Sequence, residues 1–256
     1  FWNRDNLHNN LPNSNCKKIK MDWFDSDYYH VLYKNRDYSE ARNFIDNIVE
    51  YIDLKKGSQI LDLACGIGRH SIYLDKIGFK VVGTDKSPNN IKKAKASHNQ
   101  SLSFLQMEMI DDTNHKYDCI FNLFTSFGYV NHDYNLKTIK NIERQLKDDG
   151  IVVIDFMNTL FVKNNLVIEE TKVIDDLIFK IKRRSDGKHI YKEIKFNDKK
   201  DYFFQEKVMD LSLKDFENYL IRYNLKIIKT FGDYNLNEFD IENSERLIMV
   251  IKKSQP

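Results

Sequence analysis

Apolar positions fall into three rhythms along this chain, and each rhythm predicts a different element. Ala41, Phe44, Ile45, Ile48, Val49 and Ile52 recur every three or four residues. That spacing predicts an amphipathic helix with one apolar stripe. Asp37, followed three residues on by Glu40, resembles a capping box at its start. The aromatic-rich stretch Trp23, Phe24, Tyr28, Tyr29, Val31 and Leu32 predicts a shorter helix ahead of it. Short unbroken apolar runs follow and predict strands over about 59–63, 79–84, 102–107, 117–123 and 151–156. Ser87 before Pro88 caps a helix over about 88–97. Leu136, Ile139, Ile142 and Leu146 place a helix over about 133–147, which Asp149-Gly150 ends. Strands alternating with helices imply a parallel sheet with right-handed crossovers.

From about 166 to 209 the rhythm changes to strict alternation. Leu177, Phe179 and Ile181 form one run, Ile190, Ile194 and Phe196 a second, and Tyr202, Phe204 and Val208 a third. Asp186-Gly187 is a hairpin signal between the first two. This is an antiparallel insertion. Ser212 then caps a helix carrying Leu213, Phe216 and Leu220. Runs at about 225–231 and 246–252 have no helical pattern between them, so they are expected to pair antiparallel.

Composition adds limits. The 40 basic and 38 acidic residues leave a net charge of +2, which argues against a strong electrostatic grip on nucleic acid. Cys16, Cys65 and Cys119 show no metal-ligand spacing, so free thiols in a reducing compartment are expected. No apolar run reaches membrane-spanning length and no signal peptide is visible, so the cytoplasm is the expected location. Residues 1–20 are Asn-rich and aperiodic, and are set aside as an extension. The expected organisation is a helical segment over 21–54, a cofactor-binding α/β domain over 55–160 and 211–256, and a β-rich lid over 161–210.

The chemistry centres on Leu61-Asp62-Leu63-Ala64-Cys65-Gly66-Ile67-Gly68-Arg69. An apolar strand runs into a small-residue turn and then a helix start. Such a turn aims backbone N–H groups and a helix dipole at a ligand. Asp85 closes the next apolar run, about 17 residues beyond Gly68, near the spacing that sets a carboxylate on a ribose diol. Ser71 stands where a dinucleotide fingerprint has its third glycine, which weakens a nicotinamide reading. Asp62, at the strand end, would repel a pyrophosphate and attract a sulfonium or ammonium.

With these residues in view, Asp62-x-Ala64-x-Gly66-x-Gly68 resembles the first motif of class I S-adenosylmethionine-dependent methyltransferases. Val82-Gly83-Thr84-Asp85-x-Ser87-Pro88 resembles their second motif, and Tyr117-Asp118-Cys119-Ile120-Phe121-Asn122 their fourth strand. Leu146-Lys147-Asp148-Asp149-Gly150-Ile151 is similar to the turn before their fifth strand, with Ile151 in place of a second glycine. The Phe124–Tyr129 stretch and the closing 231–247 region resemble a small bacterial subgroup with a β-rich lid. The fold the resemblance implies is a Rossmann-like methyltransferase sheet with a terminal antiparallel strand, carrying an antiparallel β insertion.

The resemblance also implies roles. Asp85 holds the ribose hydroxyls, Lys86 flanks the adenine, and Asp62 meets the methionine ammonium. Ala64, Gly66 and Gly68 let the cofactor approach the backbone. Glu108 and Met109 meet the adenine, and Asn122 and Phe124 line the methyl-donor side. Tyr29, Tyr33 and Arg36 fold over the cofactor, with Arg36 on the methionine carboxylate and Arg69 a second candidate for it. Thr125, Tyr129, Asn158, Phe204 and Glu206 are the candidates for acceptor contact. Tyr202, Phe203, Phe204, Glu206 and Val208 mix aromatic faces with one acid, which suits a cationic or amine acceptor. His132 is the candidate general base. Asp155 and Asn158 lack a third ligand, so no metal is expected. The expected reaction is methyl transfer from S-adenosyl-L-methionine to an N or O nucleophile of a small molecule, releasing S-adenosyl-L-homocysteine. The alternatives are a non-catalytic binding module for that cofactor, an RNA methyltransferase and an NAD-dependent oxidoreductase. Oligomeric state is not legible.

Overall fold

The computed structural model describes residues 22–34 and 38–254. Five parallel strands build the centre of one sheet: β1 (Gln59–Leu63), β2 (Lys80–Asp85), β3 (Leu102–Gln106), β4 (Tyr117–Asn122) and β5 (Leu146–Met157). The last two strands of the chain, β10 (Leu225–Phe231) and β11 (Arg246–Lys253), extend it, with β11 antiparallel to both β5 and β10. The order is β10-β11-β5-β4-β1-β2-β3. The sequential order of strands therefore reverses between β1 and β4, the crevice where open α/β sheets bind ligands.

Helices cover both faces. On one lie α2 (Tyr38–Tyr51), α3 (Arg69–Lys76) and α4 (Pro88–Ala94); Phe44, Ile45, Ile48, Leu74 and Ile91 pack there on Ile60, Phe121 and Val153. On the other lie α5 (His132–Gln145) and α7 (Leu213–Leu220), whose Ile139, Ile142, Phe216 and Leu220 meet Leu61, Ile120 and Val152. Strand residues alternate between the two clusters, as a pleat requires. Burying both faces explains why the central strands read as unbroken apolar runs.

The insertion is a second sheet of four antiparallel strands: β6 (Glu169–Ile174), β7 (Leu177–Ser185), β8 (His189–Asp198) and β9 (Lys200–Met209). It is fastened at two points. Ile190, Val208 and Met209 enter the main core. Phe179, Ile194, Phe196 and Phe204 receive Trp23 and Leu32 from the N-terminal segment, which folds as a 3-10 turn and the short helix α1 (Asp27–Leu32). The Trp23 and Phe204 rings lie 4.9 Å apart, and the Tyr28 hydroxyl donates to Asp198 at 2.6 Å.

Three elements differ from the sequence expectation. Strand β5 begins at Leu146 rather than Ile151, because Leu146 already pairs with Tyr117 and is fully buried. The register then jumps, so Cys119 pairs with Ile151 and the Lys147–Gly150 stretch bulges from the strand. Strand β6 reads as polar because it is an edge strand exposed on most positions. Helix α6 (Thr159–Asn164) is only six residues long, too short to show a period. The Asp37–Glu40 capping expectation lies outside the described residues. Among the described residues no helix is long and apolar enough to cross a membrane.

Candidate active site

A cavity of about 680 Å³ opens at the carboxyl ends of β1, β2 and β4, roofed by the N-terminal segment and the insertion. Its size is in the range of small-molecule sites. Two acids shape the β1–β2 half. Asp62 is buried, and its Oδ2 accepts the Ser71 hydroxyl at 2.5 Å. Burial pushes its pKa up to about 6, with the charge of Asp85 adding to the rise and the Ser71 bond opposing it. Asp85 ends β2. Its two oxygens accept the backbone N–H groups of Gly66 and Ser87, each at 2.8 Å. Burial raises its pKa, while those same bonds hold it down.

The turn between β1 and α3 is held tightly. Ala64 takes a left-handed φ of 63°, and the Cys65 N–H donates to the Thr84 carbonyl at 2.8 Å. Gly68 caps α3 at a φ of 81°; a Cβ there would lie 2.6 Å from the Phe104 ring. Any larger residue would be strained at this φ and would force the Phe104 ring or its surroundings to shift. Past β3, Glu108 accepts the Tyr134 hydroxyl at 2.7 Å, and Lys86 pairs with Asp22 at 2.8 Å. His70, on the cavity wall, is neutral because burial drops its pKa to about 3.

The β4–β5 half is built on strain. Phe124 and Thr125 follow β4 with φ of 63° and 55°, a conformation that is an outlier for a β-branched residue. Asp155 clamps them. Its carboxylate accepts the Phe124 N–H at 2.8 Å, and its backbone carbonyl accepts the Thr125 N–H at 2.9 Å. Arg246 closes the clamp, with Nη2 on Asp155 Oδ1 at 2.6 Å and on Thr125 Oγ1 at 3.0 Å. Across the cavity, Glu206 of β9 accepts Trp23 Nε1 at 2.7 Å and the Tyr33 hydroxyl at 2.8 Å. Phe24, Tyr29 and Tyr129 form an aromatic rim there, with the Phe24 and Tyr129 rings 5.0 Å apart.

Comparison with known proteins agrees with this geometry. Residues 60–150 match the family profile described as a methyltransferase domain. The chain carries a methyltransferase domain on the fold of S-adenosylmethionine-dependent methyltransferases. A protein of Geobacillus sp. (strain WCH70), whose name assigns it provisionally to the methyltransferases, is 24% identical over 88% of this chain and 97% of its own length. The solved structure of an S-adenosylmethionine-dependent methyltransferase from Clostridium acetobutylicum ATCC 824 superposes with a TM-score of 0.75 at 20% identity, covering 89% of this chain and 96% of that one. The sugar N-methyltransferase KedS8 from Streptoalloteichus sp ATCC 53650 superposes with a TM-score of 0.68 at 15% identity, covering 89% and 93%.

The fold gathers most of the residues singled out in the sequence. Asp62, Ala64, Gly66, Asp85, Lys86, Glu108, Met109, Phe124, Thr125, Tyr129, Tyr29, Tyr33 and Glu206 all line the one cavity. Gly68 lies behind the turn against Phe104. Arg36 lies outside the described residues. Four placements correct the sequence reading. Asn122 is fully buried rather than on the cavity wall, its amide tied to the Leu63 carbonyl at 2.9 Å. Asn158 is buried, caps α6 and binds the carbonyls of Ile241 and Ser244. Phe204, on the same face of β9 as Glu206, is buried in the apolar core of the insertion rather than on the cavity wall. His132 sits at the start of α5 against Tyr219, lining a separate surface pocket rather than this cavity. Asp155 is engaged by Arg246, Tyr234 and the Phe124 N–H.

The sequence reading of the methyltransferase missed Arg246, Met157 and Tyr134, all on the cavity wall. Arg246 is 91 residues from Asp155, and neither local spacing nor period links them.

Proposed function

We propose that this chain transfers the methyl group of S-adenosylmethionine to an amine nitrogen of a small molecule. The observation that carries the donor half is the pair of buried carboxylates, Asp62 and Asp85, at neighbouring strand ends on one cavity. A dianionic pyrophosphate is repelled there; an ammonium and a ribose diol are accepted. Asp85, pre-set by two backbone N–H groups, accepts the ribose hydroxyls. Asp62 receives the methionine ammonium. Lys86, Glu108 and Met109 enclose the adenine, and Tyr29 and Tyr33 cover it. Arg69 serves the methionine carboxylate.

Bound there, the cofactor would supply an electrophilic sulfonium methyl to the acceptor's lone pair, with S-adenosylhomocysteine as the leaving group. The protein positions, dries and holds the proton. Phe24, Tyr29 and Tyr129 exclude water from the acceptor half and offer π faces to a cation. Glu206 accepts the N–H of the amine and takes up the proton that methylation releases. The fold shared with a sugar N-methyltransferase is in keeping with a nitrogen acceptor.

A panel of small amines and alcohols, read by S-adenosylhomocysteine release, tests this. Amines are expected to turn over, and Glu206→Gln is expected to lower kcat/KM by about 10- to 100-fold. Turnover confined to hydroxyl acceptors would contradict it.

A further inference from the structure

Asp85 is fixed from one side by the glycine turn and from another by the residues that follow it. The Gly66 and Ser87 N–H groups each take one of its oxygens. A third donor stands beside them. Asn90, in α4, is 4% exposed, and its Nδ2 reaches Asp85 Oδ1 at 3.4 Å. The same nitrogen donates to the Phe24 carbonyl, in the roof, at 3.2 Å. Asn90 therefore meets the cofactor acid and the roof at once.

Its neighbours decide how this amide is turned. A carbonyl and a carboxylate can only accept, so Nδ2 faces them and Oδ1 faces the other way. There Oδ1 meets His30 Nε2 of α1 at 2.9 Å, which makes that ring nitrogen the protonated one. A polarised chain thus runs from roof to floor. His30 donates to Asn90, and Asn90 donates to Phe24 and Asp85. Other links join the roof to the same corner. The Lys86–Asp22 and Lys93–Asp27 ion pairs close at 2.8 and 2.5 Å, but their side chains are between 45% and 79% exposed. Such pairs contribute little. Asp25 accepts the Ser87 hydroxyl and the Asn89 N–H at the start of α4. Asn90 differs from Lys86, Lys93 and Asn89 in being buried and in reaching Asp85 itself.

We infer that Asn90 is a positioning residue that joins the docking of the roof to the setting of Asp85. With His30 and Phe24 in place, the amide is held where its nitrogen steadies the carboxylate for the ribose hydroxyls. Without them, that carboxylate loses a donor and its orientation loosens. The roof thus contributes to cofactor affinity through Asn90, in addition to the cover its aromatic rings give. The inference rests on the reading above, in which Asp85 takes the ribose.

A double-mutant cycle on cofactor binding tests this. Dissociation constants for S-adenosylhomocysteine are measured by calorimetry on the full chain and its variants. Asn90→Ala is expected to weaken binding about 10-fold, and His30→Ala about 3- to 10-fold. The two losses are expected not to add, so that the double variant binds within about twofold of Asn90→Ala alone. His30→Gln, which returns an N–H near the place of Nε2, is expected to recover affinity to within about twofold of wild type. Were Asn90 only a support for α4, unfolding stability would fall while the dissociation constant stayed unchanged, which overturns the inference. Were His30 a direct cofactor contact, its loss would multiply with that of Asn90, which also overturns it. Should Asn90→Ala not fold, His30→Ala and His30→Gln still decide, and equal affinities of those two overturn it. Failure of the underlying reading has a different signature, wild-type affinity in Asp85→Ala. Failure of this inference alone leaves the Asp85 effect in place.

Discussion

Asp62 is a carboxylate whose environment sets a measurable pH dependence. Its pKa rises from 3.8 to about 6 in the folded chain, chiefly through burial. The folded state therefore binds a proton more tightly than the unfolded state between those values. The contribution of this group to stability is full below pH 3.8, falls as pH rises through the window and is lost above about 6. A shift of that size corresponds to about 3 kcal/mol. Asp62→Asn, compared with wild type by denaturant unfolding at pH 4, 5, 6 and 7, is expected to remove this slope; an unchanged slope would contradict it. Asp62 was legible from its place before the glycines. Its partner was not: Ser71 reads as a missing glycine, yet its hydroxyl is what holds the buried acid in place. Arg246 was illegible for a related reason, since it meets Asp155 only after β11 has paired with β5.

At the scale of elements, the turn after β4 depends on the next two strands across the sheet, β5 and β11. Asp155 on β5 and Arg246 on β11 together hold Phe124 and Thr125 in left-handed backbone, which costs of order 1–3 kcal/mol per residue. Asp155→Ala leaves the Arg246 charge without its anchor and the turn without its clamp. Urea unfolding is expected to show a loss of about 3–5 kcal/mol. A loss under about 1 kcal/mol would mean the clamp is dispensable. Most elements here were legible because both faces of the central strands are buried and both helix layers are amphipathic. The bulge opening β5 was not, because Asp149-Gly150 carries the same turn chemistry whether it ends a helix or bulges from a strand. Alternation located the insertion and sets Phe204 and Glu206 on one face of β9. Position along the strand separates them: Glu206 reaches the cavity while Phe204, two residues earlier, joins the apolar core.

Across the whole molecule, the site is assembled from parts far apart in sequence. The sheet supplies two acids and a strained turn at its switch point, the N-terminal segment supplies aromatic rings, and the insertion supplies Glu206. The insertion is joined to the N-terminal segment through Trp23 and to the main core through Ile190 and Val208, so roof and floor belong to one packed structure. On the function proposed above, the sheet recognises the cofactor and Glu206 of the insertion the acceptor amine. The central claim is that Asp85 anchors S-adenosylmethionine in this cavity. Calorimetric titration of the cofactor into wild type and Asp85→Ala tests it most directly. One site per chain is expected in wild type, with affinity at least about tenfold weaker in the variant; equal dissociation constants, or no binding to wild type, would contradict the account.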